Sequence, residues 1–187
     1  MMEPEQRGPW MRVGSRIGFE NKWLTVQVDT VRTASGKEYE YNVSHFGSGS
    51  IIVPLDTEGN VYLAKEYRYG IDRVVVEAFA GGIEKGEDPL EAAKRELKEE
   101  GGITANKWTA IGGFSLLSGK SSSVENLFLA EDLTFGAQEL EENEFIEIVK
   151  MPFEEALARV AKGEINSIQT ALLLESIGRI LRERDEK

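Results

Sequence analysis

Cysteine is absent from this 187-residue chain, and histidine occurs once, at His45. The first absence excludes disulfides and thiolate metal centres and fits a reducing compartment. The second leaves too little imidazole for a His-rich zinc site. A metal bound here would be held by oxygen, which favours Mg²⁺ or Mn²⁺. Basic residues are also few: 22 Lys and Arg face 33 Asp and Glu, a net charge of −11. That balance disfavours nucleic acid as the main partner, because phosphate-backbone contacts need clustered Lys and Arg. The opening MMEPEQRGPWMRVG lacks the apolar run of a signal peptide, and no later stretch is apolar for long enough to span a membrane. The expectation is a cytoplasmic protein with neither membrane nor nucleic-acid partner.

What is present describes a folded chain. Hydrophobic residues make up 41% and charged residues 29%, the balance of a globular domain. NKWLTVQVDTVRT and KEYEYNVSHF, rich in β-branched and aromatic residues, flank a hairpin turn at Ala34-Ser35-Gly36. With residues 12–19 they predict an antiparallel sheet of about three strands. SIIVPLD, NVYLAKEYR and RVVVEAF follow as strands. A helix is expected over residues 88–100, with Asp88 as N-cap, Pro89 in the first turn and Gly101-Gly102 as its stop. NKWTAIGGFSLL and SSVENLFLAEDL read as strands, and FEEALARVAKGEI and SIQTALLLESIGRILRER as amphipathic helices. The order predicts a mixed sheet covered on both faces by helices.

The densest chemistry lies in AGGIEKGEDPLEAAKRELKEEGGI. On a helical wheel Leu90, Ala93 and Leu97 face one side, while Glu96 and Glu100 lie on the flank with Glu99 beside them. Arg95 stands one turn before Glu99. Like charges at this spacing repel by around 0.2–0.5 kcal/mol per pair on an exposed helix, a penalty that a divalent cation removes. A lone E-x-x-E-E is usually a solvated face; here the flanking residues decide. Gly81, Glu87, Arg95, Glu96, Leu97, Glu99, Glu100, Gly102 and Ile103 match every fixed position of G-x5-E-x7-R-E-U-x-E-E-x-G-U, where U is bulky and aliphatic. The stretch therefore resembles the box of the Nudix hydrolases, which cleave nucleoside diphosphates linked to another moiety.

The resemblance implies an α+β fold: a Nudix α/β/α sandwich with a mixed sheet over residues 48–187, preceded by a small antiparallel sheet over 1–47 that serves dimerisation and the base pocket. It implies two or three Mg²⁺ or Mn²⁺ ions held by Glu96, Glu100 and the Ala80 carbonyl, with Glu99 as a further ligand or helper. Arg95 resembles the arginine that orients these glutamates. Glu87 is expected to stabilise the loop, and Gly81 and Gly102 to permit tight turns at the two ends. KEYRYGIDRVVVEAFAGGIEKGE is similar to the Q-x-R…E-x-P-A-G lead of the ADP-ribose and nucleoside diphosphate sugar pyrophosphatase branch. By that match Arg68 contacts substrate phosphate and Glu77 lies at the edge of the site. AQELEENEFIEI resembles the branch's acidic loop, with Glu141 or Glu142 as general base and Glu144 as a metal ligand.

Two departures bear on specificity. Ser118 stands where a proline is expected beyond the box, and the P-A-G lead becomes Phe79-Ala80-Gly81. Both leave room for sugar nucleotides such as GDP-mannose or ADP-glucose beside ADP-ribose, and they single out the loop over residues 113–123, with Ser118 as a candidate substrate contact, as the specificity element. The implied reaction splits a nucleoside diphosphate sugar into a nucleoside monophosphate and a sugar phosphate, in a homodimer with exchanged N-terminal strands. The alternatives are an enzyme restricted to ADP-ribose or acting on nucleoside triphosphates, and a non-catalytic sensor of nucleotide sugars. His45 is expected to be structural. Trp10, Trp23 and Trp108 read as packing or interface residues, with Trp10, Phe19 or Trp23 a candidate stack for a nucleobase.

Overall fold

The computed structural model describes residues 3–186. These residues divide into two units. One comprises the residues through Ser48 together with Ser115–Val124, the other Gly49–Phe114 with the remainder of the chain from Glu125.

The first unit is an antiparallel sheet in the order β1-β2-β3-β4, formed by Glu5–Arg7, Trp10–Glu20, Thr25–Arg32 and Glu38–His45. It has one strand more than its apolar pattern predicts, because Glu5-Gln6-Arg7 is polar and exposed and carries no alternation. Trp10 packs edge-on against Tyr39 with ring centroids 6.5 Å apart, while Trp23 is exposed. The SGKSSS loop is stitched to β4: Ser44 N–H donates to the Lys120 carbonyl (2.7 Å), and the Tyr41 hydroxyl donates to the Gly119 carbonyl (2.9 Å). His45 Nδ1 lies 2.6 Å from the Ser122 hydroxyl, as a structural histidine would.

The second unit holds two sheets. β5 (Gly49–Pro54) pairs antiparallel with β8 (Phe79–Gly82) and parallel with β10 (Val124–Phe135), and β9 (Ile103–Ser115) lies beyond β10. β6 (Asn60–Arg68) pairs antiparallel with β7 (Arg73–Glu77) and β11 (Glu147–Pro152). The run RVVVEAF, expected as one strand, changes sheets at Ala78. There the backbone N–H donates to the buried Thr170 hydroxyl at 2.9 Å instead of to a strand. β11 begins at the end of the acidic segment and was not expected.

Alternation along β5 sorts the core. Ile51 and Val53 pack with Leu127, Leu129, Phe153, Leu173 and Ile177, against α2 (Phe153–Ala161) and α3 (Ile168–Asp185). Ile52 packs with Phe79, Ala93, Leu97 and Phe128, against α1 (Pro89–Gly101). Trp108 joins this second cluster edge-on to Phe128. The result is the expected mixed α+β architecture with helices on both faces.

Candidate active site

α1 is set by its ends. Pro89 opens it, the Asp88 carboxylate accepts from Leu90 N–H at 2.8 Å, and Gly102 closes it in the left-handed region at φ 59°. The Gly102 carbonyl accepts from Gly136 N–H at 2.7 Å, and a Cβ on Gly102 would stand 2.7 Å from the Gly136 oxygen. Gly81 differs from expectation. It lies within β8 without positive φ, and glycine there leaves room for Glu96, because a Cβ would stand 1.9 Å from the Glu96 carboxyl carbon where that side chain now lies. Close approach, rather than a tight turn, explains it.

Burying Ala92, Ala93 and Leu97 turns the acidic flank of α1 toward β8. Arg95 then satisfies many carboxylate oxygens at once. It grips Glu87 with two bonds of 3.0 Å, reaches Glu96 at 2.7 Å and Glu99 at 3.3 Å, and donates to the Gly82 carbonyl at 3.0 Å. Glu87 also accepts from Glu84 N–H at 2.8 Å, closing the loop before the helix. Glu100 is 8% exposed, and its Oε2 accepts from Ala80 N–H at 3.1 Å. Burial, opposed by that hydrogen bond and aided by the charges of Glu96, Glu66 and Glu144, pushes Glu100 up to about 8. Burial likewise pushes Glu96 up against the pull of Arg95, with Glu99 and Glu144 adding to the rise.

The acidic loop is delivered by contacts that no local pattern announces. Glu139 N–H donates to the Glu99 carbonyl (2.8 Å), and the Gln138 amide donates to the carbonyls of Glu100 (2.6 Å) and Ile146 (3.3 Å). The loop is thereby tied to the last turn of α1, and Glu144 comes within electrostatic reach of Glu66, Glu96 and Glu100. Glu144 caps its own turn, accepting from Glu141 N–H at 2.9 Å. Glu141 and Glu142 are exposed on the loop and do not line the cleft.

That cleft, of 510 Å³, is lined by Glu66, Arg68, Ala80, Glu100 and Glu144, with Tyr67, Tyr69 and Phe145 exposed at its rim. Its size suits a small ligand. Arg68 Nε donates to Glu77 at 2.5 Å, and its Nη2 meets Glu66 at 2.9 Å. Glu66 was not foreseen, although it stands at the Q of the Q-x-R pattern, a departure readable in the sequence. Ser118 does not line the cleft; it folds with the N-terminal sheet.

The donors fit a hard divalent cation, since every candidate atom is a carboxylate or carbonyl oxygen and Gly81 leaves space that the Glu96 carboxylate fills. Among the described residues no three acidic side chains converge closely enough to enclose an ion as they stand. Arg95 engages Glu96 and Glu99, while backbone N–H groups engage Glu100 and Glu144.

The model of the NUDIX domain matches residues 45–171, and that of the nucleoside diphosphate sugar hydrolase N-terminal domain matches residues 10–44. The chain belongs to the Nudix family. Its Nudix domain thus carries the box, the acidic loop and Arg68 together. An ADP-ribose pyrophosphatase of Bacillus subtilis (strain 168) is 35% identical over 160 residues, 84% of this chain and 86% of that protein. A methanol dehydrogenase activator of Bacillus methanolicus is 26% identical over 159 residues, again 84% and 86%. The crystal structure of an ADP compounds hydrolase superposes with a TM-score of 0.82 at 22% identity, covering 98% of this chain and 97% of that one, a likeness of fold.

Proposed function

We propose that this Nudix hydrolase cleaves the diphosphate bond of nucleoside diphosphate sugars, of the ADP-ribose, GDP-mannose or ADP-glucose type, in the cytoplasm. The observation that carries the proposal is one cleft in which Arg68 faces Glu66, Glu100 and Glu144, beside the rest of an intact Nudix box. The N-terminal model, named for nucleoside diphosphate sugars, favours that substrate class over triphosphates. Intact Arg95, Glu96, Glu99 and Glu100 favour an enzyme over a sensor.

Two or three Mg²⁺ or Mn²⁺ ions would be held by the Ala80 carbonyl, Glu96, Glu100 and Glu144, with Glu99 assisting. The chemistry such ions supply when bound is neutralisation of diphosphate charge and acidification of water. Arg95 holds the box glutamates in register, and Arg68 grips a phosphate oxygen while Glu77 steadies it. Glu141 or Glu142, exposed on the loop that carries Glu144, accepts the proton of the attacking water. The water oxygen bonds to one phosphorus, the bridging P–O bond breaks, and a nucleoside monophosphate and a sugar phosphate leave. The N-terminal region, residues 1–47, would mediate a homodimer with exchanged strands and shape the base pocket. Its exposed Ile17, Phe19 and Trp23 suit both tasks. The Ser118 loop, which folds with that sheet, would tune specificity there.

Phosphate release from a panel of nucleotide sugars, ADP-ribose and nucleoside triphosphates, coupled to a phosphatase, tests this. Mg²⁺-dependent turnover of diphosphate sugars, abolished by EDTA, is expected. Turnover of triphosphates alone, with release of pyrophosphate, would overturn the substrate class.

A further inference from the structure

Among the described residues Arg68 is the one cation lining the cleft, and its direction is set from two sides. Residues 64, 66 and 68 of β6 pair with 77, 75 and 73 of β7, so Glu66, Arg68 and Glu77 share one face of the hairpin, the face toward α1. Glu77 accepts a hydrogen bond from Nε at 2.5 Å, and Glu66 forms an ion pair with Nη2 at 2.9 Å. Both carboxylates are 15% exposed, whereas Arg68 is 45% exposed. A guanidinium has five N–H donors in a rigid fork. With Nε hydrogen-bonded to Glu77 and Nη2 ion-paired with Glu66, the guanidinium is held at two separate atoms and the donors on Nη1 point away from both. Without Glu66 the side chain keeps only the Nε anchor and can swing about it.

We infer that Glu66 is a positioning residue for Arg68, holding its free Nη edge toward the diphosphate of the substrate. This rests on the diphosphate-cleaving function proposed above. Beyond the general assignment of Arg68 to phosphate, it makes a neighbouring carboxylate a determinant of diphosphate affinity.

The test is a double-mutant cycle over Glu66→Ala, Glu66→Gln, Arg68→Ala and Glu66→Ala/Arg68→Ala. Each protein is read by KM and kcat on ADP-ribose with Mg²⁺, and by calorimetric affinity for α,β-methylene ADP, which cannot be hydrolysed at the diphosphate. Glu66→Ala is expected to raise KM and Kd about tenfold with kcat changed less than about threefold, as removal of a binding contact does. Glu66→Gln, which keeps a carbonyl oxygen at the position facing Nη2, should stay within about threefold of the parent. Glu66→Ala should have no further effect once Arg68 is Ala. Multiplication of the two single effects in the double variant, or failure of Gln to rescue, would overturn the inference. The proposed function fails separately: a parent that binds the methylene analogue through a non-additive Glu66–Arg68 pair yet turns over no diphosphate leaves the positioning role standing.

Discussion

Gly81 and Glu96 compete for the same space, which makes the glycine a probe of the site rather than of the fold. A methyl group at residue 81 meets only the far end of a flexible carboxylate side chain. Gly81→Ala should therefore lower the thermal midpoint by no more than about 3 °C, near 1 kcal/mol for a chain of this size. The displaced Glu96 should cost at least about tenfold in kcat, since a misplacement of about 1 Å can cost 10²-fold. A variant that keeps full activity would separate Glu96 from catalysis. Glu100 makes the opposite trade. In the unfolded chain its carboxyl ionises near the ordinary 4.5, whereas burial holds the folded group up to about 8. The metal-free fold thus loses stability as pH rises from about 4.5 to about 8, because the folded state keeps a proton that the unfolded state releases. Glu100→Gln, which can still accept from Ala80 N–H, should abolish turnover yet raise the midpoint in EDTA at pH 8 by at least about 3 °C, roughly 1 kcal/mol. Thermal scans at pH 5 and pH 8 check this, the gain being smaller at pH 5.

The β5–β6 turn is held by one carboxylate. Asp56 accepts from the N–H groups of Glu58 and Asn60 at 2.9 Å and from the Tyr62 hydroxyl at 3.0 Å, and it pairs with Lys150 of β11 at 3.0 Å. Burial works against the charge, but Asn60, Lys150 and Tyr62 overcome it and hold Asp56 well below the usual carboxylate range. Its stabilisation is complete above the ordinary value of 3.8 and is lost as pH falls below it. Asp56→Asn should cost about 1.5–3 kcal/mol at pH 7 and flatten the loss of stability between pH 4 and pH 2, measured by the unfolding midpoint. Elements of this kind divide by what local sequence can express. The caps of α1, the hairpin at Ala34-Ser35-Gly36 and the closing helices were legible because each is written in adjacent residues. β1 was not, being polar throughout. The break at Ala78 was not, because no turn residue separates β7 from β8 and the switch depends on Thr170, 92 residues away.

At the scale of the molecule, the box was legible because one helix displays Glu96, Glu99 and Glu100 at fixed spacing. The rest of the site is assembled by long-range contacts. Gln138 and Glu139 tie the acidic loop to α1, and Glu66 and Glu77 orient Arg68 across a hairpin. Neither is visible as a spacing, although Glu66 breaks the Q-x-R pattern. The folding of residues 115–124 with the N-terminal sheet was equally hidden, since Ser118 is remote in sequence from β4. For a chain of net charge −11, divalent cations of the kind Nudix enzymes generally use would offset the repulsion of an anionic diphosphate. The most direct test is mass spectrometry of the products formed from ADP-ribose in ¹⁸O-water with Mg²⁺. Equal amounts of AMP and ribose 5-phosphate are predicted, one of them carrying a single ¹⁸O, with none formed in EDTA or by Glu100→Gln. Intact ADP-ribose and GDP-mannose after prolonged incubation with the parent protein and Mg²⁺ would contradict the account.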